Sequence, residues 1–301
     1  IIDFGANQIF SAVTTYTCIL ICKKASNKEY EYVGFPNNGE TAFYQYASGS
    51  ESLPSLVHEI FRSSTLTEKH WSFGSTKEIE LFNKIEKHGI PLGDYSNKIF
   101  VGLQTSADTV YILEKRNGKY YSPYLERFIE IEEDILKPIL KGEEIQRYLL
   151  RENKYWLIFP YYKYNNRAVI IPEDTLAMKY PRTWAYLLLC QEQLKRRDNG
   201  RMGNDNWYAY VYPKNLLEFE QIKIMAQVLA KKASMVIDTD AKYYFVGGGN
   251  AGGYGITVKD DVNINLAYLL ALLNSSLLDF YLQHHSSKFQ NGYFSYAKRF
   301  I

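Results

Sequence analysis

Apolar positions recur along these 301 residues at two alternating periods, and the changes of period mark the elements. "AVTTYTCILIC" is apolar and β-branched, and "KEYEYVGF" alternates, so residues 1–34 predict strands. Asn38-Gly39 marks a turn, and the Ser/Gly/Glu-rich stretch at 47–56 with its proline predicts a boundary. Helical spacing follows at about 75–88, with Phe82 and Ile85 on the inner face. Ser75 and Glu78 have the spacing of a capping box, and Gly89 with Pro91 stops the helix. "NKIFVGLQTSADTVYILEKRNGKYY" predicts a β meander in which two apolar runs flank Gln104-Thr105-Ser106 and Asn117-Gly118 forms a type I′ hairpin turn.

"YWLIFPYY" predicts one more strand, and residues 173–197 predict a helix interrupted or kinked near Pro181. Its apolar stripe is Trp184, Leu187, Cys190 and Leu194. Short strands are expected near 208–212, 221–227, 234–238 and 243–246, then a flexible glycine loop, "GGGNAGGYG", at 247–255. A long apolar helix is expected at about 264–283. Strands and helices do not alternate regularly. The pattern therefore predicts an α+β fold of small mixed sheets and helices, ending in a long apolar helix.

Composition changes this picture in three ways. Tyrosine stands out, with 27 copies, and Tyr-rich surfaces are common at recognition faces. The net charge of +2 conceals an uneven distribution: residues 1–140 carry −4, residues 141–232 carry +6, and the remainder is neutral. A polyanion would meet the middle segment. The three cysteines, 18, 22 and 190, have no framework spacing, which favours a reducing, cytoplasmic setting. The longest apolar run, Leu266 to Leu273, is far short of a membrane span, and no secretory signal pattern is visible. Starting without Met inside an apolar run, the chain is expected to be part of a longer protein.

The positive segment centres on "LKRRDNGRMGNDNWYAYVY", residues 194–212. One reading is a helix end, where Lys195, Arg196 and Arg197 complement the macrodipole and Asn199-Gly200 caps. The other is an anion-binding surface. Arg201 lies beyond the cap, and Asn204, Asn206, Trp207 and Tyr208 suit base edges, phosphates or stacking. The glycine loop lacks the Lys-Ser/Thr of a phosphate loop. Neither the cysteines nor the five histidines have metal-ligand spacing, and no carboxylate pair declares itself as an acid/base couple.

Five stretches, in order, resemble the TaqI-like C-terminal specificity region, or target recognition domain, of adenine-specific (N6) DNA methyltransferases of restriction–modification systems. They are "VGLQTSADTVYIL" (101–113), "ILKPILKGEEIQRY" (135–148), "YWLIFPY" (155–161), "YPRTWAYLLLCQEQLKRR" (180–197) and "LAYLLALLNSSLLDFYL" (266–282). "IIDFGANQIFSAVTTYTCILICKK" resembles the last strands of that family's catalytic domain. The resemblance implies residues 1–48 as a methyltransferase remnant, its strands from the edge of an α/β sheet, and residues 49–301 as the recognition domain. It also assigns Phe10 to the aromatic that stacks on an extruded adenine, although the residues alone equally allow a core Phe at a strand start.

The family's Asn-Pro-Pro-Tyr/Phe motif and its glycine-rich S-adenosylmethionine motif do not occur here. The chain alone is therefore expected to have no catalytic residues, cofactor or metal. S-adenosylmethionine is expected for the parent enzyme, a site-specific adenine methyltransferase. The implied partners are double-stranded DNA and the parent's catalytic domain, with no membrane. The expected DNA-binding residues are Gln104, Thr105, Ser106, Arg147, Lys195, Arg196, Arg197, Arg201, Asn204, Trp207 and Tyr208. A Tyr-rich protein-interaction or carbohydrate-binding module is the competing expectation.

Overall fold

A computed structural model describes residues 1–10, 12, 17–35, 40–49, 56–66, 71, 73–249 and 252–301. The N-terminal residues form a four-stranded sheet in the order Cys18–Ile19, Ile2–Asp3, Glu29–Gly34, Val57–Arg62. Only the Ile2–Asp3 and Glu29–Gly34 pair is parallel. Phe4, Val33 and Phe35 give this sheet its own small core. Two expectations change here. Of "AVTTYTCILIC", Cys18 and Ile19 are in a described strand, while Leu20 and Ile21 are exposed irregular chain. Val57–Arg62 lies beyond the expected division at 48/49 yet pairs with Glu29–Gly34 along all six residues, so the sheet spans that division. The Asn38-Gly39 turn and residues 50–55 of the expected boundary lie outside the described residues.

Helix Thr76–His88 forms as its signals predict. Ser75 Oγ accepts from Glu78 N–H, and the Glu78 carboxylate accepts from Ser75 N–H. Phe82 stacks on Tyr281, with ring centroids 5.1 Å apart, and ties this helix to the end of the chain.

Two larger sheets carry the rest. A six-stranded sheet runs Tyr244–Phe245, Leu136–Leu140, Tyr155–Ile158, Ile112–Arg116, Lys119–Ser122, Arg127–Ile129. The turn between Ile112–Arg116 and Lys119–Ser122 has φ of 51° at Asn117 and 76° at Gly118, the left-handed pair that a type I′ turn requires. The four-stranded antiparallel sheet runs Met235–Asp238, Lys223–Gln227, Gly253–Val258, Ser96–Val101. Its last strand but one absorbs the second half of the expected glycine loop; Asn250 and Ala251 lie outside the described residues.

Two elements expected to be continuous break, and a third is interrupted at Pro181 as expected. "YWLIFPYY" divides into Tyr155–Ile158 and Tyr161–Tyr164, because Pro160 has no N–H to continue the ladder. The basic helix divides into Glu173–Lys179, Pro181–Leu189 and Gln191–Lys195, with Pro181 opening the second piece. The long apolar helix is two helices, Leu266–Leu273 and Ser276–His285, bent by 58°. The cause is Asn274-Ser275. Buried Asn274 donates to Met235 O at 3.0 Å and accepts from Met235 N–H at 3.1 Å, while Ser275 Oγ caps the second helix at Leu278 N–H. No strand forms at 208–212; Tyr212 makes one bridge to Gln104. Among the described residues, no single helix is long and apolar enough to cross a membrane. The whole is α+β, with one apolar core between the six-stranded sheet and the helices of 173–195 and another between the four-stranded sheet and the helices of 266–285.

Candidate functional site

The basic segment is organised around one buried guanidinium. Arg197 is 6% exposed. Its Nε donates to Leu194 O at 2.9 Å and its NH1 to Thr105 O at 2.9 Å. Its NH2 donates to Trp207 O at 2.6 Å and to Ala209 O at 2.9 Å. A planar fork of donors suits this task, since one side chain can satisfy carbonyls on three separate segments. Arg197 thus pins the end of helix Gln191–Lys195 to the Thr105 loop and to the 207–209 segment.

The Thr105 loop is shaped by its own side chains. Thr105 is fully buried; its Oγ1 donates to Asp108 Oδ1 at 2.5 Å and accepts from Ala107 N–H at 2.9 Å. Ser106 then adopts φ of 56° and is exposed. Behind the loop, Gly102 and Gly247 cross so closely that a Cβ on Gly247 would sit 2.0 Å from Gly102 O. Only glycines permit that crossing, which sets Gln104 beside the 247 segment. The result is an open groove of about 520 Å³, lined by Gln104, Ser106, Thr109, Gln193, Tyr212 and Gly247 among others. The Asp108 carboxylate, which accepts from Thr105 Oγ1, also lines it; the other side chains present neutral donors, acceptors or an exposed ring.

The remaining basic residues lie on the outside of the loop. Arg196 pairs with Glu192 at 3.1 Å and Arg201 with Asp198 at 3.7 Å, in both cases with a largely exposed guanidinium. Lys195 Nζ lies 5.9 Å from the Trp207 ring. Asp198, Asn199 and Gly200 all have positive φ, and Asn204 folds the next turn by accepting from Asn206 N–H at 2.8 Å.

Four of the expected contact residues are therefore corrected. Arg197 is spent on carbonyls, and Thr105, Trp207 and Tyr208 are buried. Trp207 packs against Trp184, and Tyr208 O–H donates to Ile171 O at 2.8 Å. Ser106, Arg196, Arg201 and Asn204 are exposed, and Gln104 and Lys195 are half-buried. Arg147 is exposed at the tip of the Ile145–Leu150 hairpin, which docks through Tyr148 N–H on Met235 O instead of on the basic loop. Phe10 is 54% exposed and belongs to the N-terminal sheet region. Gln193 and Tyr212 were not anticipated. Gln193 was nonetheless readable as the outward neighbour of Leu194 in the apolar stripe.

Part of the tyrosine richness is internal. Tyr111, Tyr186 and Tyr210 bury their rings and donate to the carbonyls of Tyr208, Val110 and Ile158. Burial raises all three hydroxyls well above the ordinary tyrosine range, so they remain donors. Burial also pushes the Cys190 thiol up to about 11. Lys223 and Asp238 form a buried ion pair of 2.6 Å that also satisfies Phe219 O and Tyr243 N–H, a structural role beneath the sheet. Among the described residues, no three His, Cys, Asp or Glu side chains gather to hold a metal ion.

The chain is 24% identical, over an alignment 313 positions long, to the type II restriction enzyme and methyltransferase RM.Eco57I of Escherichia coli. The alignment covers 97% of this chain, and the chain spans only 30% of that relative's length. Residues 137–300, more than half of the chain, match the model of the TaqI-like C-terminal specificity domain. That match takes in the broken Asn274-Ser275 helix pair, the Arg197 keystone and the basic loop. The chain belongs to the TaqI-like C-terminal specificity domain family.

Proposed function

We propose that this chain reads DNA sequence for an adenine-N6 DNA methyltransferase of a restriction–modification system. The observation that carries the reading is the polar groove of Gln104, Ser106, Gln193 and Tyr212, held rigid by Arg197 beside the exposed Arg196, Arg201 and Asn204. Cations that neutralise phosphates supply affinity without sequence information, whereas amide and hydroxyl groups read base edges. The described residues of 1–62 form a small sheet and core of their own, which supports reading this part as a remnant of the catalytic domain. The recognition domain then follows. Phe10, exposed on that remnant, is the proposed ring for a flipped adenine.

S-adenosylmethionine belongs to the parent enzyme in this reading. The glycine-rich segment does not fit it, since its described part runs into strand Gly253–Val258 and not into the helix N-terminus that such a cofactor loop needs. No chemical step is assigned to this chain. The competing surface-tyrosine reading loses support from the burial of Tyr111, Tyr161, Tyr186, Tyr208, Tyr210 and Tyr244.

Affinity for duplex DNA, measured from low to moderate salt, tests the proposal. Three phosphate contacts give a slope near −2.7, or about a 40-fold loss over a fourfold rise in salt. Binding that is absent, or that ignores salt, overturns it.

A further inference from the structure

The hairpin Tyr161–Tyr164/Arg167–Ile170 stands apart from both large sheets as a two-stranded ribbon. Its root is firmly built. Tyr161 is buried and its hydroxyl accepts from Tyr210 N–H at 2.7 Å, and Ile171 N–H donates to Pro160 O at 2.9 Å. Tyr208 O–H donates to Ile171 O. The root therefore rests on the 207–210 segment that Arg197 also grips.

Beyond the root, every residue from Tyr162 to Arg167 is exposed. The composition is one-sided: two tyrosines, two asparagines, Lys163 and Arg167, and no acid. Neither Lys163 nor Arg167 has an ion-pair partner within 4 Å among the described residues; the field of Lys163 reaches Glu220, which is already paired with Lys137. Two unpaired cations beside exposed rings, with no acid on the ribbon, make a positive surface that carries stacking groups. They suit an anionic partner.

Register gives the ribbon a working face. Tyr164 pairs with Arg167 and Tyr162 with Val169, so Tyr162, Tyr164 and Arg167 share one side and Lys163 faces the other. Asn165 and Asn166, with φ of 46° and 57°, form the tip and leave their amides free to point outward. Four residues per strand span about 13 Å at roughly 3.3 Å each. B-DNA's major groove, about 12 Å wide and 8.5 Å deep, admits a two-stranded ribbon of that size.

We propose that this hairpin enters the major groove of the target DNA, with Arg167 and the two tip asparagines reading base edges and Lys163 on a phosphate. The proposal rests on the DNA-reading function above and adds a second reading element to the groove at Gln104. The asparagine amide matches adenine, and the arginine fork matches guanine.

The test selects bound duplexes from a random-sequence pool with the 301-residue chain and with two variants. Asn165→Gly/Asn166→Gly/Arg167→Ala keeps a turn that tolerates positive φ, and Lys163→Ala serves as the second variant. Melting temperature confirms folding of both. The triple variant is expected to lose preference at one contiguous block of base pairs in the selected motif, by about 5- to 150-fold per base pair, and to keep the rest. Lys163→Ala is expected to keep the motif and lower the salt slope by about 0.9. A triple variant that selects the same motif with the same affinity overturns the hairpin proposal and leaves the DNA function standing. A wild-type chain that binds no duplex overturns both.

Discussion

Arg197→Ala separates a scaffold from a contact. The substitution removes a guanidinium that is 6% exposed and leaves four carbonyls, on Leu194, Thr105, Trp207 and Ala209, without their donors. Each buried acceptor left unpaired costs about 1–3 kcal/mol. The four do not add, because Trp207 and Ala209 share one nitrogen and water can enter the vacated space. The expected net loss is about 3–5 kcal/mol, within the range of a broken buried network. At roughly 2–3 °C per kcal/mol for a chain of this size, the melting temperature should fall by about 6–15 °C. Arg197→Lys should rescue little, since a single ammonium cannot span three segments. Arg201→Ala, on an exposed side chain, should change stability by no more than about 0.5 kcal/mol. Differential scanning calorimetry on the three variants, alongside salt-dependent DNA affinity, reads both quantities. An Arg197→Ala chain that melts like wild type while its salt slope drops by one contact would refute the reasoning and return Arg197 to the binding surface.

Asn274→Ala should cost about 2–4 kcal/mol, because it strips both Met235 backbone groups of their partner inside the second core; urea titration measures it. Glu132 should contribute stability that acid removes. Burial raises its carboxyl, but the Thr183 hydroxyl and the N–H groups of Arg182 and Thr183 outweigh that and hold it below the ordinary carboxylate range. A depressed folded value means the contribution is present above the unfolded value near pH 4.3 and lost as pH falls below it. Denaturant midpoints taken from pH 6 to 3 should therefore fall more steeply for wild type than for Glu132→Gln. Alkylation followed by mass spectrometry should label exposed Cys18 and Cys22 first and Cys190 only on unfolding, since Cys190 is buried and its thiol is pushed up to about 11.

Local signals were legible wherever the chain states its own chemistry. The Ser75/Glu78 capping box, the Asn117-Gly118 turn and the stripe of Leu187, Cys190 and Leu194 all appear as their spacing predicts. Two of the misses share one cause. Periodicity does not register a polar residue whose partner is distant in sequence. Asn274 sits within an apolar run and its partner, Met235, is 39 residues away, so an apparently continuous helix breaks there. Arg197 behaves the same way: the loop it holds lies 92 residues upstream at Thr105. Its neighbours in sequence suggested a basic patch, and its bonding partners turned the patch's central residue inward. The groove was half legible for that reason. Gln104 and Ser106 lie on a strand-to-loop signal, whereas Tyr212 reaches it only through a single bridge to Gln104.

The sheets also bear on where the folding unit begins. The family match starts at residue 137, yet neither large sheet does. In the six-stranded sheet, Tyr155–Ile158 pairs with Ile112–Arg116, and Lys119–Ser122 and Arg127–Ile129 extend that side. In the four-stranded sheet, Gly253–Val258 closes against Ser96–Val101. The cores cross the same point, since Phe100, Leu103, Val110, Tyr111 and Leu113 pack into the cluster that holds Leu157, Leu187 and Tyr210. A unit cut at 137 would expose two sheet edges and the apolar faces behind them, the arrangement that pairs chains instead of folding them. The Thr105 loop that Arg197 grips would go with the lost segment, and with it the wall of the groove. The working unit therefore begins no later than Ser96, and the residues that shape the groove come from both sides of the family boundary.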